Sequence, residues 1–483
     1  MVRTRIAPSP TGPLHVGTLR AALFNYLFAK SQGGSFALRI EDTDIERSDK
    51  KFEKEIFQGF SWLGIIADEG PLEGGPFAPY RQTERIGTYS KYLELLLSQG
   101  NAFYCFHSEE NLERERKELM AAKRPPIHAC EYRSMERAEA EMLLETKGAA
   151  IIRFKTPLGK IITFTDLVRG EISFESDLLG DFSLAKGLTA PLYNFAVVVD
   201  DYEMQITHVI RGEDHIPNTP KQILIIEALG FLRPQYAHLP LILGSDRSKL
   251  SKRHGATSID EYRKEGYLSD ALFNFIALLG WSPGGDREIM TKEEIIKEFS
   301  LERVQKSGAI FDVAKLDWMN GEYIRKKSLV ELARLCIPYI EDFFKFKIKN
   351  SKLKIGDIKK IIALEQPRLK KLSEIGDRAD FFFREPVYEK ELLQWKSMRT
   401  DELSQSLDKS YDLIFNIEFP VSKEAVEKAF FEMIGTGDKG SILWPLRVAL
   451  TGKKASPGPF EILSILPKEV ALKRIAAAKG LLA

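Results

Sequence analysis

The feature that most constrains the fold is a strand–loop–helix–strand pattern within the first 40 residues. Residues 2–7 alternate apolar and polar side chains, which predicts a strand. Residues 8–13 (PSPTGP) cannot continue that strand and predict a turn. From residue 16 to residue 31 the apolar positions follow helical spacing, and residues 35–40 predict a second strand. This βαβ order is typical of the opening of an α/β domain.

The rest of the chain divides into segments of different character. Helices are predicted at residues 53–68 and 88–100, and residues 105–190 mix charged helices with short strands, which indicates an inserted module. Residues 195–210 (FAVVVDDYEMQITHVI) carry a run of valines, and we expect an internal parallel strand there. Beyond about residue 329 the periodicity predicts helices.

Composition excludes several classes of protein. The 483 residues are 44% hydrophobic, with 70 Lys and Arg against 69 Asp and Glu, which is typical of a folded globular chain and not of a disordered one. No apolar run approaches the roughly 20 residues of a membrane span. Three cysteines (Cys105, Cys130 and Cys336) exclude a disulfide scaffold. We therefore expect a cytoplasmic protein with no secretory signal and no membrane association.

Two short motifs carry candidate chemistry. The first, His15-Val16-Gly17-Thr18, stands at the predicted helix start, where free N–H groups and the helix dipole attract phosphate. The second, KLSKR at residues 249–253, places two lysines three apart in a loop that can neutralise phosphoryl charge. Taken alone, the first motif is explained about as often by a capped structural turn, and the second is usually a solvated basic loop. The chain contains no Walker-type phosphate loop, which argues against a P-loop NTPase.

Together, in this order and at this separation, the two motifs resemble the "HIGH" and "KMSKS" signatures of class I aminoacyl-tRNA synthetases. The stretch RIAPSPTGPLHVGTLRAALFNYLFAK, followed by LRIEDTD, is similar to bacterial glutamyl-tRNA synthetases. YNFAVVVDD, HVIRGEDH and WMNGEYIR extend the resemblance, which runs from residue 3 to about residue 470 and is weakest near residues 105–150.

The resemblance implies a fold and an activity. We expect an α/β Rossmann-type class I catalytic domain in two halves (residues 1–104 and 191–235), interrupted by an α+β acceptor-stem-binding module (105–190). A linking region (236–328) and an all-α anticodon-binding region (329–483) follow. The implied reaction activates L-glutamate with ATP and Mg²⁺ to glutamyl-adenylate, then transfers glutamate to the terminal adenosine of tRNA-Glu. The family implies a monomer.

The resemblance also implies the residues of the substrate sites. Arg5 and Arg211 stand where the family binds the side-chain carboxylate of the substrate, a task suited to the bidentate guanidinium. Taken alone, Arg5 could equally be a surface residue of a strand. Glu41 and Tyr193 match the partners of the substrate α-amino group. The other implied residues are Ala7 and Ser9 for glutamate, and His15, Gly17, Thr18, Asp214, Lys249, Ser251 and Lys252 for ATP.

The basic C-terminal stretch allows two interpretations. Residues 321–370 contain 13 Lys and Arg against 6 Asp and Glu, which by itself is typical of a solvated helix face. By the resemblance this stretch belongs to an anticodon-reading surface. Arg368 matches the family position that reads the third anticodon base, and Arg447 matches another anticodon contact. The sequence leaves open whether tRNA-Gln is also charged with glutamate, and whether activation requires bound tRNA.

A metal site is the least regular part of the resemblance. Many family members hold zinc in the inserted module, and the corresponding residues here are Cys105, His107, Cys130 and Tyr132. Tyrosine is a poor zinc ligand beside Cys and His. The sequence therefore favours a degenerate site over a zinc site, with His128 as a substitute ligand if zinc is bound.

Other functions share parts of these patterns. A glutaminyl-tRNA synthetase is disfavoured by the Pro-Ser-Pro-Thr-Gly loop and the helical C-terminal region. A shortened paralogue that glutamylates a tRNA base lacks the roughly 150 residues beyond Arg325. A small-metabolite nucleotidyltransferase would be much shorter. A non-catalytic tRNA-binding scaffold would not need His15, Gly17, Lys249 and Lys252.

Overall fold

The computed structural model describes residues 1–251, 253, 258–345 and 355–482. Two compact units are present. The first comprises Met1–Tyr262 and Ser269–Leu316, and the second comprises Arg263–Leu268 and the segment from Asp317 onward.

The first unit contains both strands and helices, and the second unit is helical. The strands are β1 (Arg3–Ile6), β2 (Ser35–Leu38), β3 (Ala102–Cys105), β4 (Ile151–Phe154), β5 (Ile161–Asp166), β6 (Gly170–Glu175), β7 (Ser183–Ala185), β8 (His208–Gly212), β9 (Gln235–Leu239), β10 (Ile242–Leu243) and β11 (Ala309–Ile310). The helices up to residue 326 are α1 (Val16–Ser31), α2 (Lys50–Leu63), α3 (Ile86–Ser98), α4 (Glu109–Ala121), α5 (Arg137–Lys147), α6 (Tyr193–Glu203), α7 (Thr219–Leu229), α8 (Ile259–Lys264), α9 (Ser269–Ala277), α10 (Lys292–Glu298) and α11 (Val313–Lys326). The later helices are α12 (Leu329–Phe344), α13 (Ile355–Glu365), α14 (Ile375–Arg378), α15 (Thr400–Asn416), α16 (Lys423–Ile434), α17 (Lys439–Thr451), α18 (Pro459–Leu463) and α19 (Lys468–Gly480).

Parallel strands joined by buried helices form the frame of the first unit. Strand β1 pairs in parallel with β2, and β8 pairs in parallel with β9. Thr207 N donates to Arg3 O at 2.9 Å, which links the start of β8 to β1. Helix α1 joins this frame through buried Asn25, whose Nδ2 donates to Ile210 O of β8 at 2.8 Å. The predicted βαβ opening is confirmed, and the helix spans the predicted residues 16–31.

The expected strand at residues 195–210 is wrong for most of its length. Residues 193–203 form α6, and only the last part of the segment, from His208, enters strand β8. Residues 195–201 are all buried, so the helix is apolar around most of its circumference. A short buried run of valines does not distinguish a strand from a buried helix, and here tertiary burial outweighs the β preference of valine.

The segment between β3 and β7 builds a smaller sheet and a hairpin. Strands β3, β4 and β7 form an antiparallel sheet in that order. Strands β5 and β6 form an antiparallel hairpin, and Asp166 at the end of β5 pairs with Tyr236 of β9. The hairpin therefore extends the parallel sheet of the surrounding α/β frame.

The second unit is built from helices. Its described residues contain α12–α19 and several short 3-10 turns, and no strand. A separate apolar core lies among α15–α19, centred on Leu407, Phe430, Leu446 and Ile475. Across the described parts of the chain, no helix is both long enough and apolar enough to cross a membrane.

A buried carboxylate ties α6 to the segment that leads into α3. Asp200 is fully buried and accepts hydrogen bonds from Gln82 Nε2 at 2.8 Å and Arg85 Nε at 2.7 Å. Tyr89 Oη of α3 donates to the same carboxylate at 2.9 Å. A buried charge is tolerated only when it is paired and hydrogen-bonded, so these donors hold α6 in place.

We expect Tyr89→Phe to lower the free energy of unfolding by about 1–3 kcal/mol, because one donor to the buried Asp200 is lost without replacement. Equilibrium denaturation measures the change. Tyr202→Phe is the matched control, since the Tyr202 side chain is 41% exposed. Equal stability of the two variants would contradict a stabilising role for the Tyr89 hydroxyl.

Candidate functional site

A cavity of about 850 Å³ opens in the first unit beside the start of α1. Every residue that the sequence assigned to ATP or glutamate and that the structure describes lines this cavity. These residues are Arg5, Ala7, Ser9, His15, Gly17, Thr18, Glu41, Tyr193, Arg211, Asp214, Lys249 and Ser251. Lys252, the remaining prediction, lies outside the described residues. The cavity thus combines a helix start with residues from β1, β8 and the loop after β10.

The start of α1 is capped by its own first motif. His15 Nδ1 accepts from the backbone N–H groups of Gly17 at 3.1 Å and Thr18 at 3.4 Å. The His15 ring lies so close that a Cβ at position 17 would stand 3.0 Å from its Cε1, which favours glycine there. Burial and the charge of Lys249 lower the pKa of His15, which keeps the ring neutral and able to accept. An anion at this helix start would compete with Nδ1 for the two N–H groups.

The second motif begins on a short hairpin at the cavity rim. Leu250 N donates to Ile242 O at 2.9 Å, and Gly244 N donates to Ser248 O at 2.8 Å. Arg253 Nη2 donates to Ser248 Oγ at 2.7 Å, so the arginine is held on the loop itself. Lys249 is exposed at the rim.

Arg5 is held by a carboxylate behind it. Its Nε and Nη2 donate to Asp201 at 3.0 and 3.1 Å, and the side chain is almost completely buried. Burial alone would raise the pKa of Asp201, but the charges of Arg5 and Arg39 outweigh burial and lower it. Asp201 therefore stays ionised and fixes the guanidinium of Arg5 at the cavity wall.

Arg211 is held by neutral groups. Its Nε donates to His238 Nε2 at 3.1 Å, and its Nη2 donates to Thr219 Oγ1 at 2.8 Å. Nη1 is buried and has no hydrogen-bond partner among the residues that the structure describes. Burial lowers the pKa of Arg211, as expected for a cation that lacks a carboxylate partner. A buried donor of this kind fits an anionic ligand group.

Glu41 and Tyr193 lie on the same wall. Glu41 is buried, and burial raises the pKa of its carboxyl against the opposing charges of Arg39 and Arg5. Tyr193 Oη lies 3.1 Å from His215 Nδ1. Burial and the charge of Arg211 lower the pKa of His215 to about 4, so its ring is neutral at pH 7.

The predicted metal residues come together only in part. One ligand atom from each of Cys105, His107, His128 and Cys130 lies within 4.8 Å of the others. Cys105 Sγ is 3.5 Å from His107 Nδ1 and 3.8 Å from His128 Nε2. His128 Nδ1 is in turn hydrogen-bonded to Glu115.

Tyr132, the fourth predicted ligand, is directed elsewhere. Its hydroxyl lies 3.4 Å from Lys147 Nζ, and its ring packs edge-on against His107. His128 takes the fourth position of the cluster instead.

The two predicted anticodon residues lie in the second unit. Arg368 ends the 3-10 turn after α13 and lines a cavity of about 270 Å³ with Glu365, Arg378 and Lys453. Arg447 of α17 stacks over the ring of Trp444 at 4.5 Å and donates to Lys454 O at 3.0 Å. Burial and the nearby charge of Arg368 lower the pKa of Arg447. The cavity beside Arg368 is lined by both acidic and basic side chains, and Arg368 pairs with Glu365 at 3.8 Å.

Several site residues escaped the sequence analysis. Asp200 and Asp201 interrupt a buried apolar run, and that anomaly is a usable signal because a buried charge needs a partner. His215 lies within the quoted HVIRGEDH stretch. Asp166 and His238 carry no local signal, since each becomes relevant only through contacts with distant residues.

Comparison with protein families divides the chain into two parts. Residues 1–318 match the class I tRNA synthetases (E and Q), catalytic domain. Residues 331–479 match the anticodon binding domain.

Individual relatives match over the whole chain. "Glutamate--tRNA ligase 1" of Caldicellulosiruptor saccharolyticus is 48% identical over 481 residues and covers 98% of each chain. "Glutamate--tRNA ligase" of Carboxydothermus hydrogenoformans is 46% identical, covering 98% of this chain and 99% of its own. The crystal structure of a glutamate tRNA ligase from Elizabethkingia meningosepticum, in complex with its amino acid, superposes with a TM-score of 0.88 at 35% identity over both full chains.

The lowered pKa of His215 predicts an acid-dependent loss of stability. The folded protein keeps this ring neutral down to about pH 4, whereas in the unfolded chain it takes up a proton near pH 6.5. The stability that is present above pH 6.5 is therefore lost as the pH falls toward 4. The free energy of unfolding of the wild type is expected to fall between pH 7 and pH 5. In His215→Asn this fall should be smaller by about 1–2 kcal/mol. Chemical denaturation at both pH values measures this, and identical pH dependence in the two proteins would contradict the assignment.

Proposed function

Since the chain belongs to the glutamate–tRNA ligases of the class I tRNA synthetases, we propose how its cavity residues divide the two steps of that reaction. Its activity is that of a glutamate–tRNA ligase, with ATP, glutamate and tRNA as substrates. Relatives matched over 98% of both lengths argue against the shortened paralogue.

Arg5 and Arg211 bind the side-chain carboxylate of glutamate. Support comes from their position in one cavity wall and from the unpartnered Nη1 of Arg211, a buried donor that needs an acceptor. A carboxylate satisfies such donors with charge-assisted hydrogen bonds. The neutral amide of glutamine would bring its own N–H donors toward them, which selects against it.

Glu41 and Tyr193 receive the α-amino group of glutamate. The carboxyl of Glu41 is buried and its pKa is raised, and a substrate ammonium group would favour its ionised form. Ala7 and Ser9 line the same part of the cavity. The α-carboxylate of glutamate is thereby left free to react.

ATP lies over the start of α1. Its phosphate oxygens replace His15 Nδ1 as acceptors for the N–H groups of Gly17 and Thr18, and the released ring becomes a donor. Lys249 and Ser251 cover the phosphates from the loop, and Asp214 meets the ribose. Lys252, which lies outside the described residues, is the second lysine of the motif that the sequence assigns to the phosphates. Mg²⁺ accompanies ATP and neutralises phosphate charge.

The chemistry follows from positioning and charge stabilisation. The glutamate α-carboxylate attacks the α-phosphorus of ATP, and pyrophosphate leaves. The terminal ribose hydroxyl of tRNA then attacks the carbonyl of the adenylate, and AMP leaves. Neither step needs a nucleophilic side chain, so lysine and histidine donors and the helix start act by stabilising developing charge.

Arg368 and Arg447 read the anticodon. Arg368 is about one-third exposed beside the small cavity of the second unit, where a base could reach its guanidinium. An arginine donates hydrogen bonds to base acceptors in a fixed planar geometry. We expect tRNA-Glu to be the substrate and tRNA-Gln to be rejected, largely through Arg368.

We expect Arg368→Gln to narrow the difference in kcat/KM between tRNA-Glu and tRNA-Gln by about tenfold or more, since a bidentate base contact contributes about 1–3 kcal/mol. ATP-dependent attachment of labelled glutamate to both tRNAs, measured in parallel, tests this together with the activity itself. Arg399→Gln is the matched control, because Arg399 is an exposed arginine of the same unit, paired with Asp401. Unchanged selectivity in Arg368→Gln would contradict the role of Arg368, and wild-type charging of neither tRNA would contradict the function.

Zinc occupies the cluster of Cys105, His107, His128 and Cys130. Two thiols and two imidazoles form a donor set that zinc prefers, and their ligand atoms lie within 4.8 Å of one another. Glu115, hydrogen-bonded to His128, supplies the outer support typical of a ligating histidine. The sequence expectation of a degenerate site depended on Tyr132, which His128 replaces here. The zinc is structural and orders the inserted module.

Metal analysis of the purified protein is expected to find one zinc per chain. His128→Asn should lose most of the zinc and lower the melting temperature, whereas Tyr132→Phe should keep both, because the phenol is directed at Lys147. Loss of zinc from Tyr132→Phe with retention in His128→Asn would reverse the ligand assignment, and a metal-free wild type would rule out zinc.

A further inference from the structure

A chain of three buried side chains leads from the inserted hairpin to the glutamate site. Asp166 Oδ2, at the end of β5, lies 2.6 Å from His238 Nδ1 in β9. His238 Nε2 lies 3.1 Å from Arg211 Nε in β8. Each of the three residues is no more than 6% exposed. The three side chains therefore contact one another in the order Asp166, His238, Arg211, and they come from the neighbouring strands β5, β9 and β8.

The hydrogen bonds determine where the protons lie. An ionised carboxylate only accepts, so the ring proton of His238 is on Nδ1, facing Asp166. The guanidinium of Arg211 only donates, so Nε2 of the same ring must present its lone pair. Thr219 Oγ1 accepts from Arg211 Nη2 and lies 3.2 Å from His238 Nε2. The ring is thus a neutral imidazole of one defined tautomer.

Asp166 is itself rigidly held. Its Oδ1 accepts from the backbone N–H groups of Val168 at 2.9 Å and Arg169 at 2.8 Å, and Oδ2 accepts from the N–H of His238 at 3.0 Å. These bonds stabilise the ionised carboxyl and fix it against the sheet. The orientation of Asp166 therefore determines the tautomer of His238.

We propose that Asp166 and His238 are positioning residues for glutamate recognition, because together they hold Arg211 with Nη1 directed at the substrate carboxylate. This inference rests on the proposed role of Arg211. The wrong tautomer would turn an N–H of His238 toward the N–H of Arg211, and two donors in contact repel. Arg211 would then move away from the place in which its Nη1 meets the substrate.

The geometry also gives the inserted module a role in amino-acid binding. Asp166 belongs to the β5–β6 hairpin, whereas His238 and Arg211 belong to the parallel strands of the α/β frame. The hairpin pairs in register with that frame at Asp166–Tyr236, and further hydrogen bonds join the two, among them Leu167 N to Tyr236 O at 2.8 Å. A displacement of the hairpin that moves Asp166 would therefore act on glutamate affinity through His238 and Arg211.

Asp166→Asn tests the proposal by replacing a single heavy atom, one carboxylate oxygen by an amide nitrogen. The amide keeps one oxygen to accept from the backbone N–H groups of Val168 and Arg169. Its N–H groups face His238 Nδ1, which favours the tautomer with the proton on Nε2. We expect the KM for glutamate in aminoacylation of tRNA-Glu to rise about tenfold or more, with the KM values for ATP and tRNA changing less than about twofold. Asp181→Asn is the matched control, since Asp181 is a nearly buried carboxylate of the same module that accepts from Arg133 and Thr156.

Two substitutions of His238 separate its two nitrogens. Gln can present an acceptor where Nε2 meets Arg211, whereas Asn can only preserve the donor facing Asp166. We expect His238→Gln to have a glutamate KM closer to the wild type than His238→Asn. An equal effect, or the reverse order, would overturn the proposal.

A spectroscopic measurement is independent of activity. The chain has seven histidines, so ¹⁵N labelling of histidine alone gives a tractable spectrum, with His238→Gln identifying the signal. We expect the Nδ1–H tautomer in the wild type and the Nε2–H tautomer in Asp166→Asn. An unchanged tautomer, or equal increases in the KM values for glutamate and ATP, would overturn the proposal. Failure of the wild type to charge glutamate at all would instead count against the proposed function.

Discussion

The α/β frame and its cavity depend on the ion pairs between the buried guanidinium of Arg39 and three carboxylates. The Arg39 side chain is completely buried and lies 2.8 Å from Asp201, 3.4 Å from Asp200 and 3.3 Å from Glu41. Burial by itself lowers the pKa of Arg39, but the three carboxylates outweigh burial and raise it. Removing one partner would leave uncompensated charge in the interior, which is strongly destabilising. Consecutive residues Asp200 and Asp201 can both face one guanidinium from a helix, whereas on a strand they would point to opposite faces. The valine-rich segment therefore pairs both carboxylates with Arg39 when it forms the helix α6, which a strand would not allow.

The same network reaches the cavity wall that carries Arg5. Asp201 binds Arg39 on one side and Arg5 on the other, and Asp200 is held by Gln82, Arg85 and Tyr89. A second series of contacts, from Asp166 through His238, holds Arg211 from a different direction. Two arginines that would repel each other are thus fixed from behind by separate groups. Under the proposed role of the two arginines, this fixed arrangement lowers the conformational cost of binding a carboxylate.

The remaining parts of the cavity are less fully prepared. The N–H groups at the start of α1 are occupied by His15, and the loop that carries Lys249 sits at the exposed rim. In the proposed function, nucleotide binding rearranges the hydrogen bonds of His15, whereas glutamate binding meets groups already in place. Outside the cavity, the cluster of Cys105, His107, His128 and Cys130 has its four donor atoms close together, and Glu115 is hydrogen-bonded to His128.

The sequence by itself determined the elements whose signals are local. The bounds of α1, the parallel pairing of β1 with β2 and the helical C-terminal region follow from periodicity and turn residues, and two spaced motifs with their flanking residues indicated the members of the cavity. Tertiary structure alone decided that the valine run is a helix and that Asp201 and His238 hold the two arginines. It also decided between Tyr132 and His128, the substitute that the sequence offered, as the residue that joins the cysteines. The physical reason is the range of the interactions. Helical periodicity and turns depend on residues a few positions apart, whereas Arg5 meets Asp201 and Asp166 meets His238 only after the chain has folded, and the energy of a buried charge depends on partners that no local pattern specifies.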